Sequence, residues 1–249
     1  MVDSHAHLES CDADPATLIE EAAAAGVERI VTIGMGRESA ERAVTLTDAH
    51  PGVYAAIGVH PHDAAGFTAA DLEWMRALAG QPKVVAIGEC GLDYHHDHSP
   101  RDQQAAAFVA QIDLAREVGL PLVVHTRDAA EDTLALLGEH AGDHPVILHC
   151  FSLPEHLDEV VRRGYLLSFA GPVTFRRNHE LQRAAALAPP ELLLVETDSP
   201  YLAPVPRRGR PNRPANVVHT LRFIADLRNM PAEELDALTS ANAARVFGW

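Results

Sequence analysis

Two histidines, His5 and His7, stand two residues apart in the N-terminal segment VDSHAHL. In a strand, residues i and i+2 point to the same face, so Asp3, His5 and His7 share one side. Such a stripe is either unusual polar packing or half of a metal site, since imidazole is a frequent ligand for transition metals. Similar side chains recur at the ends of runs rich in Val, Ile and Leu. GVHPH carries His60 and His62, GECGLD carries Glu89 and Asp93, and VVHTRD carries His125 and Arg127. ILHCFS carries His149, and VETDSP carries Glu196 and Asp198. A lone histidine of this kind is ordinarily a loop hydrogen-bonder, and Glu89 or Asp198 alone would read as a surface carboxylate or a turn cap. Together they are hard to treat as separate accidents. Burying them unpaired is costly, whereas a cation satisfies them jointly.

The segments that carry these residues alternate with helix-forming ones. Eight short apolar runs (VDSHAHL, RIVTIG, VYAAIGVH, VVAIGECGLD, PLVVHTRD, VILHCFS, YLLSFAG and LLLVETDSP) are separated by Ala-, Leu- and Glu-rich stretches such as PATLIEEAAAAG and RDQQAAAFVAQIDLAREVG. Strands alternating with helices predict parallel βαβ units. The expected fold is an α/β chain closed into a (β/α)8 TIM barrel, one domain spanning residues 1–249. An open doubly wound sheet is the second reading, but no GxGxxG follows the first strand. In a parallel barrel every strand ends at one face, where barrel active sites lie. The last segment, PAEELDALTSANAARVFGW, reads as a helix pair closing the chain.

Composition narrows the class. The chain has 249 residues, is 47% hydrophobic and carries a formal net charge of -15. That excludes a passive nucleic-acid coat, which needs clustered Lys and Arg, but not an enzyme acting on phosphates, since bound cations reverse the local field. No signal peptide or membrane-spanning run is evident, and the three cysteines (Cys11, Cys90, Cys150) form no CxxC pair. The expectation is a cytoplasmic monomer without membrane or obligate protein partner. Cys90 and Cys150 follow inward-facing ligand candidates and read as small apolar packers. Of the other histidines, His95, His96 and His98 in DYHHDHSP could bind a surface metal but read first as solvated loop residues or substrate neighbours, and His50, His140, His144, His156, His179 and His219 as structural or remote.

In order and spacing, the motifs DSHAHL, GVHPH, GECGLDY, PLVVHTRDA, LHCFS, SFAGPVTF and VETDSPYL resemble the TatD family of metal-dependent hydrolases, end to end. The resemblance implies a (β/α)8 barrel with a two-metal centre. His5 and His7 would bind the first metal, Glu89 would bridge the two where related hydrolases use a modified lysine, and His125 and His149 would bind the second. Asp198 would bind the first metal and face the hydrolytic water. His60 and His62 match the HPH element near the substrate pocket, and Arg127 matches the arginine of HTRDA. One departure concerns the loop after the last strand, RGRPNRP, where Arg213 replaces a usual glutamate and Pro211 a usual arginine.

The chemistry implied is hydrolysis of a phosphodiester. Two divalent ions, Mg, Mn or Zn, clamp an in-line displacement, with Asp198 as ligand and general base and Arg127 or His62 as helpers. The expected substrate is single-stranded DNA, cut from its 3′ end. The alternative is a hydrolase of a small ester, lactone, amide or aminoacyl linkage, which would use the same metal ligands. A phosphate track is expected from Arg207, Arg208, Arg210 and Arg213, against the alternative of a solvated loop. Phe151, Tyr94 and Tyr201 are candidates for stacking a base. Asp3 reads equally as a partner of the ligands or as core.

Overall fold

The computed structural model describes all 249 residues. Every apolar run forms a strand: β1 (Val2–Ala6), β2 (Arg29–Met35), β3 (Val53–Gly58) and β4 (Val84–Asp93), then β5 (Leu122–Arg127), β6 (Val146–Leu148), β7 (Leu166–Phe169) and β8 (Leu193–Val195). Between them lie α1 (Pro15–Ala24), α2 (Arg37–Ala49), α3 (Ala69–Ala79), α4 (Arg101–Val118), α5 (Ala130–His140), α6 (Leu157–Arg162) and α7 (His179–Leu187). Two more, α8 (Val217–Leu227) and α9 (Ala232–Phe247), follow β8. The strands form one sheet in chain order, with parallel pairing wherever register is defined, which is the succession of a (β/α)8 barrel.

By contact the chain divides into two compact units, Met1–Thr32 with His149–Trp249, and Ile33–Leu148. In the first, the two ends of the sheet meet. Ala6 bridges Ser199 in parallel, the Asp198 N–H donates to the His5 carbonyl at 2.9 Å, and the His7 N–H donates to Ser199 O at 2.7 Å. Below that bridge the Ser4 and Ser168 hydroxyls lie 2.8 Å apart, and Ser4 Oγ donates to Val195 O at 3.0 Å. Both serines are buried, and each hydroxyl finds a partner.

In the second unit β4 is buried along its whole length, as expected of a strand covered on both faces. Two glutamines of α4, both fully buried, hold the ends of neighbouring strands. Gln111 accepts from Val59 N at 2.8 Å and donates to Val59 O at 3.0 Å. Gln104 accepts from Asp93 N at 2.8 Å and donates to Asp93 O at 3.2 Å and Ser99 O at 2.8 Å. Each primary amide matches one backbone donor and acceptor where the ladder has stopped, fixing the segments that carry His60 and Asp93.

One expectation fails. The C-terminal segment is a single helix, α9, rather than a helix pair. Its Thr-Ser step does not break the helix because Thr239 Oγ1 donates to Leu235 O at 3.0 Å and Ser240 Oγ to Asp236 Oδ1 at 3.0 Å. NAARVFG does serve the core, with Ala243 and Phe247 buried and Asn242 Nδ2 donating to Pro190 O and Leu193 O.

Gly91 marks the tightest approach between β4 and β5. Its φ is +139°, and a Cβ built there would lie 2.0 Å from the His125 carbonyl oxygen. Gly91→Ala should therefore destabilise the protein by at least about 2 kcal/mol in denaturant melts. Wild-type stability in that variant would mean that β4 and β5 are not this close.

Candidate metal centre

In the first unit the donors converge at the closure of the sheet. His5 is fully buried and His7 nearly so, and their Nε2 atoms lie 3.3 Å apart. Asp198 Oδ1 is 3.3 Å from His7 Nε2 and 3.8 Å from His5 Nε2. Atoms about 2.1 Å from one cation, at tetrahedral or octahedral angles, lie about 3.0–3.4 Å from each other. These three atoms are thus spaced nearly as ligands of a single ion. Asp198 is aimed by its backbone, which takes a φ of +55°, a strained value for a non-glycine residue. Burial alone would raise its carboxyl. The hydrogen bond from His7 and the imidazoles of His149, His7 and His5 outweigh that and hold it below its ordinary value.

His149 follows β6 in sequence. Its Nδ1 donates to Glu196 Oε1 at 3.1 Å, and Cys150 N donates to the same oxygen at 2.8 Å. Nε2 is therefore the nitrogen His149 offers a cation, and its ring stacks on His5 with centroids 3.9 Å apart. Glu196 is fully buried, and its second oxygen, Oε2, has no hydrogen-bond partner. A buried carboxylate oxygen left this way is costly without a cation or proton. His5, His149 and Glu196 bring one donor atom each within 4.8 Å of one another. Asp3 serves the frame: Thr197 donates to it from N at 2.8 Å and from Oγ1 at 2.6 Å. Burial pushes the Asp3 carboxyl up to about 8 despite those hydrogen bonds.

The second unit holds another donor group. Glu89 is 2% exposed; its Oε1 lies 2.9 Å from His125 Nδ1 and 3.5 Å from His60 Nε2. Burial pushes the His60 imidazole below its ordinary value, against the pull of Glu89, and a neutral imidazole is the form that binds metal. Asp93 gathers the neighbouring imidazoles. His62 Nε2 and His96 Nδ1 each lie 2.8 Å from its Oδ2, and His125 Nε2 lies 3.4 Å away. Burial would raise Asp93, but hydrogen bonds from His125, His96 and His62 hold it far below the carboxylate range. Both groups offer imidazole and carboxylate donors, which suit Zn, Mn or Fe and tolerate Mg.

These positions sort the sequence candidates. His5, His7, His149 and Asp198 come together, as do Glu89 and His125. His60, expected near substrate, lies in the donor group. His62 lies against Asp93, and Arg127 is exposed at the end of β5. Cys150 is not an apolar packer. Strand β6 ends at Leu148, Cys150 turns through a φ of +41°, and it lines a cavity of about 390 Å³ with Phe151, Pro172 and Asn178. Phe151 is buried edge-on against Phe169, and Tyr94 donates to Asp132 Oδ2 at 2.7 Å beneath Arg101. Tyr201 is 52% exposed with its ring 5.8 Å from that of His7, so it is the one of the three that is exposed. Arg213 is bound to Glu21 at 2.7 and 2.9 Å and to Asp12 at 3.5 Å, which removes it from any phosphate track. The roles of Glu196 and Asp93 were missed. The available signal was spacing, because Glu196 stands two residues from Asp198 in VETD.

Residues 2–248 match the model of the family described as TatD related DNase. The chain belongs to the TatD family. It is 43% identical over 99% of its length to YabD, an uncharacterized metal-dependent hydrolase of Bacillus subtilis (strain 168), covering 98% of that protein. It is 40% identical to the 3′-5′ ssDNA/RNA exonuclease TatD of Cronobacter sakazakii (strain ATCC BAA-894), over 95% of this chain and 92% of the other. The crystal structure of YjjV, a TatD homologue from Escherichia coli K12, superposes with a TM-score of 0.94 at 27% identity, covering 100% of this chain and 98% of that one. This TatD-family chain is a metal-dependent hydrolase with the (β/α)8 barrel fold. No helix is long and apolar enough to cross a membrane.

The hydrogen bond from His149 Nδ1 to Glu196 in this TatD-family chain predicts an effect of Glu196 on cation binding through His149. Glu196→Ala should weaken divalent-cation binding about 10- to 100-fold in a calorimetric titration, while Glu196→Gln, which keeps an acceptor for Nδ1–H, should retain most of it. Equal loss in both variants would show that orientation of His149 is not the role of Glu196.

Proposed function

We propose that this protein is a two-metal phosphodiesterase that removes nucleotides from the 3′ end of single-stranded DNA. The observation that carries the reading is the set of three donor atoms on His5, His7 and Asp198, 3.3–3.8 Å apart, beside an exposed aromatic and a basic loop. The kinship with a 3′-5′ ssDNA/RNA exonuclease supports the same reading. In this reading residues 1–249 are one catalytic domain. As the family resemblance implies, His5, His7 and Asp198 would hold the first ion and His125 and His149 the second, with Glu89 a ligand shared by both. His60 supports Glu89. The working ions are Mg, Mn or Zn, set by availability.

When bound, two divalent ions would acidify a water and neutralise charge on the phosphoryl oxygens. The chain's own residues do the rest. Asp198 takes the proton as water oxygen bonds to phosphorus; its low proton affinity keeps it ready as a base at neutral pH. The bond from phosphorus to the 3′ oxygen breaks, the leaving oxygen takes up a proton, and a nucleoside 5′-monophosphate departs. Arg127 and His62 face the charge that develops on the phosphoryl group. Tyr201 stacks a base, with Leu202 and Val205 beside it in sequence also exposed. Arg207, Arg208 and Arg210 follow the backbone phosphates, Arg208 being steadied 4.3 Å above the Phe175 ring. We place the enzyme in the reducing cytoplasm as a monomer, a setting that suits its three free thiols.

Two outcomes are expected. With Mg or Mn, wild type should shorten a 5′-labelled single strand stepwise from its 3′ end, and Asp198→Asn should slow this at least about 100-fold. An intact strand with every ion, alongside Asp198-dependent hydrolysis of a small ester or lactone, would favour the alternative substrate class. Replacing Arg207, Arg208 and Arg210 together by Ala should lower the salt slope of oligonucleotide binding by about 2, at about 0.7 per lost contact. An unchanged slope would remove the loop from the substrate path.

A further inference from the structure

The donors around Asp93, beside the Glu89–His125 group, have no ion assigned to them above. His62 Nε2 and His96 Nδ1 both lie 2.8 Å from one oxygen of Asp93, and the three donor atoms fall within 4.8 Å of one another. Asp93 is 1% exposed and cannot turn away. Its other oxygen accepts from His95 N at 3.0 Å and His96 N at 2.9 Å. The two imidazoles are about a third exposed, so an ion can reach them from solvent. A third imidazole stands over the group. The His98 ring is 4.6 Å from that of His62 and stacks on His96 at 5.6 Å, tilted by 9°. Asp97, between them, takes a φ of +48°, which turns the loop back on itself.

We propose that His62, Asp93 and His96 form a separate site for one borderline-soft divalent ion such as Zn²⁺, with His98 available as a fourth ligand. Each imidazole now shares a proton with the carboxylate. A neutral ring exposes that nitrogen to a metal simply by carrying its proton on the other one, so binding needs no strong base. The donor distances must open from 2.8 Å to about 3.0–3.4 Å, which the exposed loop from His95 to His98 permits. Two or three imidazoles with one carboxylate favour Zn²⁺ over Mg²⁺. The ion would pin His62, and through Asp93 it would alter the partner of His125 Nε2, 3.4 Å away. The site therefore shares His62 with the proposed substrate pocket and touches the Glu89–His125 group through Asp93, so an ion there can adjust both.

The test is a titration of chelator-stripped full-length protein with Zn²⁺ against a chromophoric chelator, with elemental analysis of the filtered protein. Wild type should hold one equivalent more than His96→Ala, whose substitution lies on an exposed loop and should leave the circular dichroism unchanged. His5→Ala should lose equivalents from the central site and keep this one, so the two readings fail separately. Equal zinc content in wild type, His96→Ala and the His96→Ala/His98→Ala pair would overturn the proposal and leave Asp93 as a hydrogen-bond hub only.

Discussion

The pairing of the chain's first strand with the segment after its last is the constraint on which the first donor group depends. Two backbone hydrogen bonds, from Asp198 N to His5 O and from His7 N to Ser199 O, set the register. A one-residue slip would turn His5 and His7 to the opposite face and carry Asp198 away from them. Asp3 reinforces the register from below by accepting from both Thr197 donors. The interaction is also expensive, because it keeps a carboxyl fully buried at a proton affinity raised to about 8. Nearly two hundred residues separate the partners, so the site exists only once the sheet is complete.

The second theme is carboxylates that orient imidazoles. Glu196 fixes which nitrogen His149 presents, and Asp93 does the same for several rings at once. Ligands held in this way lose little further freedom when an ion binds. Such an arrangement is costly in a protein without its ions, since buried carboxylates and imidazoles must otherwise satisfy one another. Divalent ions that bind only the folded chain will stabilise it by mass action, by an amount that grows with the logarithm of their excess over the dissociation constant.

Much of this was legible in the sequence, for identifiable reasons. Strands such as VVAIGECGLD and PLVVHTRD announce themselves by composition, and strand-end side chains converge once parallel connectivity is assumed. That convergence brings out His5, His7, Glu89, His125, His149 and Asp198 together with His60, His62, Asp93, Arg127 and Glu196; the choice of the first six as metal ligands is what the family resemblance implies. What escaped depends on directions that a period of two cannot describe. Cys150 and Asp198 have positive φ, so alternation stops where the chemistry starts. Gln104 and Gln111 look like surface residues of an amphipathic helix, yet both are fully buried because strand ends need partners. Arg213, one candidate for a phosphate track, is held instead by Glu21, 192 residues away in the chain.

The central claim is that His5, His7 and Asp198 grip one cation. The most direct measurement is a crystal structure of protein grown with Mn²⁺, with anomalous differences recorded near the manganese edge. The account predicts a peak about 2.0–2.3 Å from His5 Nε2, His7 Nε2 and an oxygen of Asp198. A map with manganese elsewhere, or with these three side chains hydrogen-bonded only to one another at saturating Mn²⁺, would contradict it.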